Sequence, residues 1–156
     1  MNVYAESSAV AAWLLGEPQG RKVRAVLAEA DLVITCDLTL VECDRVLIRA
    51  VTLNEISEKL ARRRRTRLNA AAGHWNLLRI GPEIVDRARR PFPAEPIRTL
   101  DALHLSAAIL ASSALDDFAL LSLDTRIRRA AIELGLPVLP AHHASTPSKG
   151  ASRFGV

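Results

Sequence analysis

Three acidic residues stand where an α/β protein would place a reactive site. Glu6 directly follows the apolar segment 2–5, Asp124 directly follows the apolar segment 118–123, and Asp101 lies at the start of a strongly apolar helical stretch. Carboxylates that converge at one point repel one another unless a proton or a cation lies between them. Oxygen ligands of this kind suit Mg²⁺ or Mn²⁺ better than zinc. The three residues therefore predict an acidic site for a divalent metal ion.

Metal-assisted hydrolysis of a phosphodiester bond is the reaction that fits such a site best. A bound metal ion activates water and also neutralises charge on the phosphate. The glycine-rich motifs that bind nucleotides are absent, since the sequence has neither Gly-x-Gly-x-x-Gly after a strand nor a P-loop. A phosphoacceptor receiver domain also uses clustered acids, but the three lysines, Lys22, Lys59 and Lys149, do not follow a late strand.

The elements that would position these acids alternate between short apolar strands and amphipathic helices. Strands that are short and fully apolar are typical of a parallel sheet covered on both faces, whose carboxyl ends line the functional crevice. We therefore expect an α/β fold: a three-layer α/β/α sandwich with a central, mainly parallel sheet. Strands are predicted at 2–5, 32–35, 77–80, 118–123 and 136–139; helices are predicted at 9–15, 21–30, 37–50, 53–75, 82–90, from 99 to the loop at 116–117, and at 124–134.

Helix caps are predicted from the polar residues that precede each apolar run. Ser7 or Ser8 is expected to cap the first helix, Thr99 the helix that carries Asp101, and Asp124 the last helix. Gly135 is expected to end that last helix in a left-handed conformation.

Length and composition indicate one domain with a tail. The chain has 156 residues, of which 49% are hydrophobic, enough for one well-packed core. We expect the domain over 1–140 and a flexible tail over 141–156, which is almost without apolar residues. The tail holds two of the four net positive charges, so overall charge is weak evidence for a polyanionic partner. Cys36 and Cys43 are expected to be core residues.

No segment has the length of a membrane span, and the N-terminus lacks a basic leader. We therefore expect a cytoplasmic protein with no membrane partner.

Two groups of arginines are candidates for contact with a polyanion. Arg45 and Arg49 share a narrow polar edge of the helix predicted at 37–50 with Glu42. A run of four arginines, 62–65, lies in the middle of the long helix predicted at 53–75. A solvated helical face, phosphate contacts and a dock for an acidic partner are all compatible with that run.

Five segments, in this order, resemble the PIN-domain ribonucleases of the VapC toxin type. They are VYAESSAV at 3–10, LTLVE at 38–42, RTLDALHL at 98–105, LSLD at 121–124 and LGLPV at 134–138. The resemblance implies a PIN-like α/β/α sandwich with an acidic Mg²⁺ or Mn²⁺ site that cuts single-stranded RNA. It also implies inhibition by a small cognate antitoxin of the VapB type, and we expect a homodimer.

The resemblance assigns the acidic residues of the family site to Glu6, Glu42, Asp101 and Asp124. We expect Glu6, Asp101 and Asp124 to bind the metal ion, and Glu42 to complete the pocket or orient water. Three of these acids also have a simpler interpretation: Asp124 as a helix cap, Asp101 as a favourable charge at a helix start, and Glu42 as the partner of Arg45.

His104, three residues after Asp101, could act in acid–base chemistry. We favour its interpretation as a hydrogen-bonded core histidine. By position on the helix edge beside Glu42, Arg45 and Arg49 are the predicted RNA-binding residues.

The first segment departs from the family pattern, which usually has Asp followed by Thr-Ser where this chain has Glu6-Ser7-Ser8. The extra methylene group pushes the carboxylate about one carbon bond further into the pocket, and active sites are sensitive to displacements on the order of 1 Å. Two hypotheses follow. The protein is either an active endoribonuclease toxin or a catalytically weakened or inactive PIN-like module that binds RNA or a protein partner.

Overall fold

A computed structural model describes residues 1–141 of the chain, and these residues form five strands and seven helices. The strands are β1 (Asn2–Ala5), β2 (Leu32–Cys36), β3 (Asn76–Leu78), β4 (Phe118–Leu121) and β5 (Val138–Leu139). The helices are α1 (Ser7–Leu15), α2 (Gly20–Glu29), α3 (Asp37–Thr52), α4 (Glu58–Ala72), α5 (Pro82–Ala88), α6 (Thr99–Ala114) and α7 (Thr125–Glu133). The predicted tail, apart from residue 141, lies outside the described residues.

All five strands are parallel and follow the order β3-β2-β1-β4-β5. The predicted parallel sheet is confirmed. Strand β1 lies at the centre, where Val3 pairs with Val33 of β2 and with Ala119 of β4. Because the strands are parallel, the carboxyl ends of β1, β2 and β4 lie at one edge of the sheet. The strand order reverses beside β1, and such folds form their crevice at that point.

The apolar residues of the sheet divide between two helical layers, which confirms the predicted α/β/α sandwich. Tyr4 packs on one face with helices α5, α6 and α7, for example against Leu105. Ala5 packs on the other face with α1, α3 and α4, for example against Leu47. Both cysteines are buried, as predicted, and neither forms a disulfide. None of the helices in this part of the chain is long and apolar enough to cross a bilayer.

The helix predicted at 53–75 is present as α4, but it begins later than predicted, at Glu58, because the chain turns over the residues that follow α3. Asn54 adopts a left-handed conformation with φ +57°, which ends the preceding helix. Ser57 then caps α4, since its hydroxyl oxygen accepts a hydrogen bond from the Leu60 amide at 3.2 Å. Leu53 and Ile56 keep a helical spacing with Leu60, so the apolar period alone places the start of this helix too early.

Two predicted helix caps are also wrong. The N-cap of α1 is Glu6 rather than Ser7 or Ser8, because the Glu6 carboxylate accepts the Ser8 amide. Thr99 is the first residue of α6, and the N-cap position is held by Arg98 without a side-chain hydrogen bond. The caps of α7 are as predicted: Asp124 at the start and Gly135, with φ +77°, after the end.

Candidate active site

The four predicted acids line one cavity at the carboxyl edge of the sheet. Glu6 follows β1, Glu42 lies on α3, Asp101 lies in the first turn of α6, and Asp124 precedes α7. This acidic cavity has a volume of about 340 Å³ and is also lined by Ser7, Ser8, Arg98, Thr99, Leu100, His104, Arg126 and Ile127. The structure therefore brings together all four acids that the sequence singled out, although up to 118 positions separate them along the chain (124 − 6).

Glu6 is almost completely buried, with 2% of its surface exposed, and its carboxylate accepts four hydrogen bonds. Oε1 accepts the Ser7 hydroxyl at 2.6 Å and the Ser8 amide at 2.9 Å. Oε2 accepts the Ser122 hydroxyl at 2.7 Å and also the Ser8 hydroxyl. An ionised carboxylate has about four acceptor positions, so these donors satisfy the charge of Glu6 in full. Direct binding of a cation by Glu6 requires one donor to give way.

Sequence reasoning did not single out Ser122 and considered Ser8 only as a helix cap, yet these two serines join the ends of β1 and β4. The Ser8 hydroxyl oxygen accepts the amides of Leu123 at 2.9 Å and Asp124 at 3.0 Å. Its hydrogen is therefore directed to Glu6. The only sequence signal for this role is the pair of serines two residues from an acid, Glu6-x-Ser8 and Ser122-x-Asp124, and that spacing is too common to be diagnostic.

Glu42 forms an ion pair with His104, whose Nε2 lies 2.7 Å from Glu42 Oε2. Burial of the Glu42 carboxyl favours its neutral form, but hydrogen bonds with His104 and Ser7 and the charge of His104 together outweigh this and lower the Glu42 pKa. Burial also favours the neutral form of His104, and hydrogen bonds with Cys36 and Glu42 outweigh it and raise the His104 pKa to about 10. Glu42 is therefore held as an anion facing an imidazolium.

His104 is buried and hydrogen-bonded through both ring nitrogens. Nδ1 lies 3.0 Å from the Tyr4 hydroxyl, and that hydroxyl donates to Cys36 Sγ at 3.1 Å. Since the Tyr4 proton is directed to sulfur, Nδ1 acts as a donor to Tyr4, and Nε2 as a donor to Glu42. The doubly protonated ring has no lone pair for a metal ion, so His104 orients Glu42. The buried position of His104 agrees with its predicted role as a hydrogen-bonded core histidine, but the sequence did not predict Glu42 as its partner.

Asp101 differs from Glu6 because one of its carboxylate oxygens has no hydrogen-bond partner among the described residues. Oδ2 is buried and unpaired, and the nearest cationic group is Arg126 Nε at 3.5 Å. Burial and the neighbouring charge of Asp124 raise the Asp101 pKa, in spite of the opposite effect of Arg126. A buried carboxylate oxygen without a donor is costly unless a ligand satisfies it.

Asp124 uses its two oxygens for different purposes. Oδ1 caps α7 by accepting the amides of Arg126 at 2.8 Å and Ile127 at 3.1 Å. Oδ2 lies 3.3 Å from a terminal guanidinium nitrogen of Arg126. The helix-cap interpretation of Asp124 is thus confirmed, and its second oxygen still faces the acidic cavity.

The donor set of the acidic cavity fits a hard divalent cation. Asp101 Oδ2 is buried without a hydrogen-bond donor, and carboxylate oxygens are the ligands that Mg²⁺ and Mn²⁺ prefer. The ligand atoms of Glu6, Glu42 and His104 also lie within 4.8 Å of one another. Of these three, the two carboxylates remain as candidate ligands, because the His104 ring is occupied by Tyr4 and Glu42.

Arg45 and Arg49 are exposed and line a groove that adjoins the acidic cavity through Glu42. The groove runs between α3 and the start of α6 and includes the exposed apolar residues Val41, 56% exposed, and Ile48, 42% exposed. The apolar residues of α3 are therefore only partly covered by the core.

The arginine run 62–65 contributes mainly to the packing of α4. Arg64 donates to the carbonyl of Leu15 in α1 at 2.7 Å, and Arg65 pairs with Asp44 of α3 at 2.7 Å. These contacts fix two of the four guanidinium groups within the fold. They favour a structural role over contact with a polyanion for both residues.

The chain belongs to the PIN domain family, whose model matches residues 3–133. Among curated protein sequences, none matches the chain significantly.

Solved structures of VapC toxins and their complexes share this fold. The VapC20 toxin of Mycobacterium tuberculosis, which cleaves the sarcin-ricin loop, aligns with a TM-score of 0.56 at 14% identity, covering 82% of this chain and 94% of the toxin. The VapBC2 complex of Rickettsia felis, bound to a promoter DNA fragment, aligns at 0.58 with 9% identity over 88% and 97%. A toxin–antitoxin complex from Klebsiella pneumoniae aligns at 0.53 with 17% identity over 80% and 88%.

Proposed function

We propose that this protein is a divalent-metal-dependent endoribonuclease that cleaves single-stranded regions of RNA and acts as the toxin of a toxin–antitoxin pair in the cytoplasm. The observation that carries the proposal is the convergence of four acids on one cavity, with the buried Asp101 Oδ2 unpaired. The PIN family match and the shared fold with VapC toxins support it. Mg²⁺ or Mn²⁺ is the proposed cofactor.

Asp101, Asp124 and Glu6 are the proposed metal ligands. When bound there, a divalent cation would activate a water molecule and neutralise charge on the scissile phosphate. Asp101 offers its unpaired oxygen, and Asp124 offers Oδ2 while Oδ1 continues to cap α7. Glu6 would exchange one serine hydrogen bond for the cation, because its four acceptor positions are already used.

Glu42 is proposed to complete the pocket and orient the attacking water. The hydrogen bond with His104 keeps its carboxylate ionised and fixes its direction. His104 acts through Glu42 and does not itself touch the substrate. An ionised, oriented carboxylate beside the cavity can accept a hydrogen bond from water and direct its lone pair toward a phosphate.

Arg45 and Arg49 are the proposed RNA contacts. Both are exposed on the groove that shares Glu42 with the acidic cavity, so an RNA strand that enters the cavity passes close to them. Guanidinium groups bind phosphates through paired hydrogen bonds. A VapB-like antitoxin and a second copy of the chain are the proposed protein partners, and the toxin–antitoxin complexes that share the fold support the former.

Cleavage of purified RNAs in the presence of Mn²⁺ tests the proposal. We expect the full-length protein to cut structured RNA in unpaired regions, and we expect EDTA or the substitution Asp101→Asn to abolish cutting. The Asp101→Asn variant is suitable because it keeps the size of the side chain and loses no hydrogen bond at Oδ2. Equal cleavage by both proteins would show that the activity comes from another source.

The weakened-module hypothesis rests on Glu6 and is tested by Glu6→Asp. If the longer side chain is a handicap, the variant cleaves faster than the natural protein. The substitution shortens the reach to Ser122, whose hydroxyl lies 2.7 Å from Oε2, so the variant must first be shown to fold. An unchanged rate in a folded variant would mean that Glu6 is a competent ligand, and no cleavage by either protein would favour the binding module.

A further inference from the structure

Arg126 places a positive charge inside the acidic cavity. Its Nε lies 3.5 Å from Asp101 Oδ2, and one of its terminal nitrogens lies 3.3 Å from Asp124 Oδ2. The guanidinium group thus lies between Asp101 Oδ2 and Asp124 Oδ2, which is the Asp124 oxygen that does not cap α7. These are the same two oxygens that the proposed function offers to a divalent cation.

The position of Arg126 follows from the start of α7. Asp124 is the N-cap and its carboxylate accepts the amide of Arg126, the second helical residue, so the Arg126 side chain begins close to that carboxylate. The first turn of α6 then brings Asp101 to the same guanidinium group. The starts of α6 and α7 therefore each contribute one carboxylate to the same guanidinium group.

The other arginines of α7 have different partners. Arg128 is buried and donates to the backbone carbonyls of Ser122, Leu139 and Pro140. Arg129 pairs with Glu133 one turn further along the helix at 3.2 Å. Arg126 alone in this helix has the acids of the cavity as its partners. It is also 45% exposed, so its side chain has room to move into solvent.

The contacts of Arg126 are weak enough to be exchanged. The distance of 3.5 Å between Arg126 Nε and Asp101 Oδ2 is longer than that of a typical hydrogen bond, and 45% of the Arg126 side chain is exposed, so solvent screens the arginine side of this ion pair. The guanidinium group carries one positive charge and faces two carboxylates, so a divalent cation at the same position would compensate more of their charge.

We propose that Arg126 is an internal counter-ion that occupies the metal position, so that a divalent cation binds by displacing its guanidinium group from Asp101 and Asp124. This inference rests on the proposed metal site. Removing the charge of Arg126 would then tighten cation binding, because the cation no longer competes with it. Cation affinity in this protein is accordingly set by Arg126 as well as by the ligands.

Calorimetric titration of Mn²⁺ into the metal-free, full-length protein tests the exchange without an activity assay. We expect Arg126→Gln to bind Mn²⁺ about three- to tenfold more tightly than the natural protein, the range that corresponds to losing one or two partly exposed ion pairs. Arg126→Lys should stay close to the natural affinity, since it keeps the charge. Arg129→Gln is the matched control: it removes the same charge from the same helix away from the cavity, and its affinity should not change.

Thermal unfolding gives a second measurement on the same proteins. Since a ligand that binds only the native state stabilises it in proportion to the logarithm of its concentration over Kd, Mn²⁺ should raise the melting temperature of Arg126→Gln more than that of Arg129→Gln. Equal Mn²⁺ affinity in the two folded variants, or weaker binding by Arg126→Gln, would overturn the exchange while leaving RNA cleavage intact. If none of the proteins binds Mn²⁺ and cleavage persists in EDTA, the proposed metal site fails and the exchange fails with it.

Discussion

Replacing Glu6 by glutamine should destabilise the protein far more than an isosteric substitution normally does. Both carboxylate oxygens of Glu6 accept hydrogen bonds from donors that cannot turn away. The Ser8 amide is fixed by the backbone, and the Ser8 hydroxyl already uses its oxygen to accept two amides, those of Leu123 and Asp124. Whichever way the glutamine amide is placed, its NH₂ group meets one of these donors.

The size of the effect follows from the hydrogen bonds that are lost. A hydrogen bond to a charged group stabilises by about 1.5–3 kcal/mol, and a buried donor left without an acceptor costs about 1–3 kcal/mol. Neutralising Glu6 also removes repulsion with the other acids of the cavity, which offsets part of this cost. We therefore expect Glu6→Gln to lower the free energy of unfolding by about 3 kcal/mol, a large fraction of the stability of a single domain.

Urea unfolding at pH 7 in EDTA measures this change, with the slope of the transition checked for two-state behaviour. Asp101→Asn is the matched control, because it removes one negative charge from the same cavity but takes no hydrogen bond from Oδ2. Since the Asp101 pKa is raised in the folded protein, neutralising this residue should leave stability unchanged or increase it. A loss below about 1 kcal/mol for Glu6→Gln, or an equal loss in both variants, would refute the hydrogen-bond argument.

Three further predictions concern other parts of the site. The folded-state pKa of His104 is about 10, above its unfolded value, so the stability that its charged form contributes is complete below pH 6.5 and is lost as the pH rises toward 10. Urea unfolding between pH 7 and 10 should therefore show a steeper loss of stability for the natural protein than for Glu42→Gln. Parallel curves for the two proteins would contradict this prediction. Ser122→Ala should cost about 1–3 kcal/mol of stability in the same assay, since it removes one donor from Glu6. Arg45→Gln and Arg49→Gln should each weaken RNA binding, and each should reduce the slope of log K for RNA binding against log salt concentration by roughly one phosphate contact, as measured by titration at several salt concentrations. Arg65→Gln, whose partner is Asp44, serves as the comparison and should leave that slope unchanged.

Much of the fold is readable from local patterns. The alternation of short apolar strands with amphipathic helices is a property of consecutive residues, and it indicated the layered parallel sheet. The start of α4 was placed too early because Leu53 and Ile56 keep a helical spacing with Leu60, while the turn before α4 depends on the left-handed residue Asn54. Similarly, Glu6 replaced the expected serine caps because its longer side chain reaches the Ser8 amide while Ser8 bonds to the neighbouring strand end.

The sequence by itself determined which acids stand at strand ends and helix starts, because a residue's place along a strand or helix is a local property. Only the tertiary structure decided what each acid does there. Glu42 meets His104 across 62 positions, Glu6 meets Ser122 across 116, and Asp101 shares Arg126 with Asp124. Such contacts arise where distant elements converge at one edge of the sheet. The hydrogen-bond donors present there satisfy the Glu6 carboxylate in full and leave Asp101 Oδ2 without a hydrogen bond.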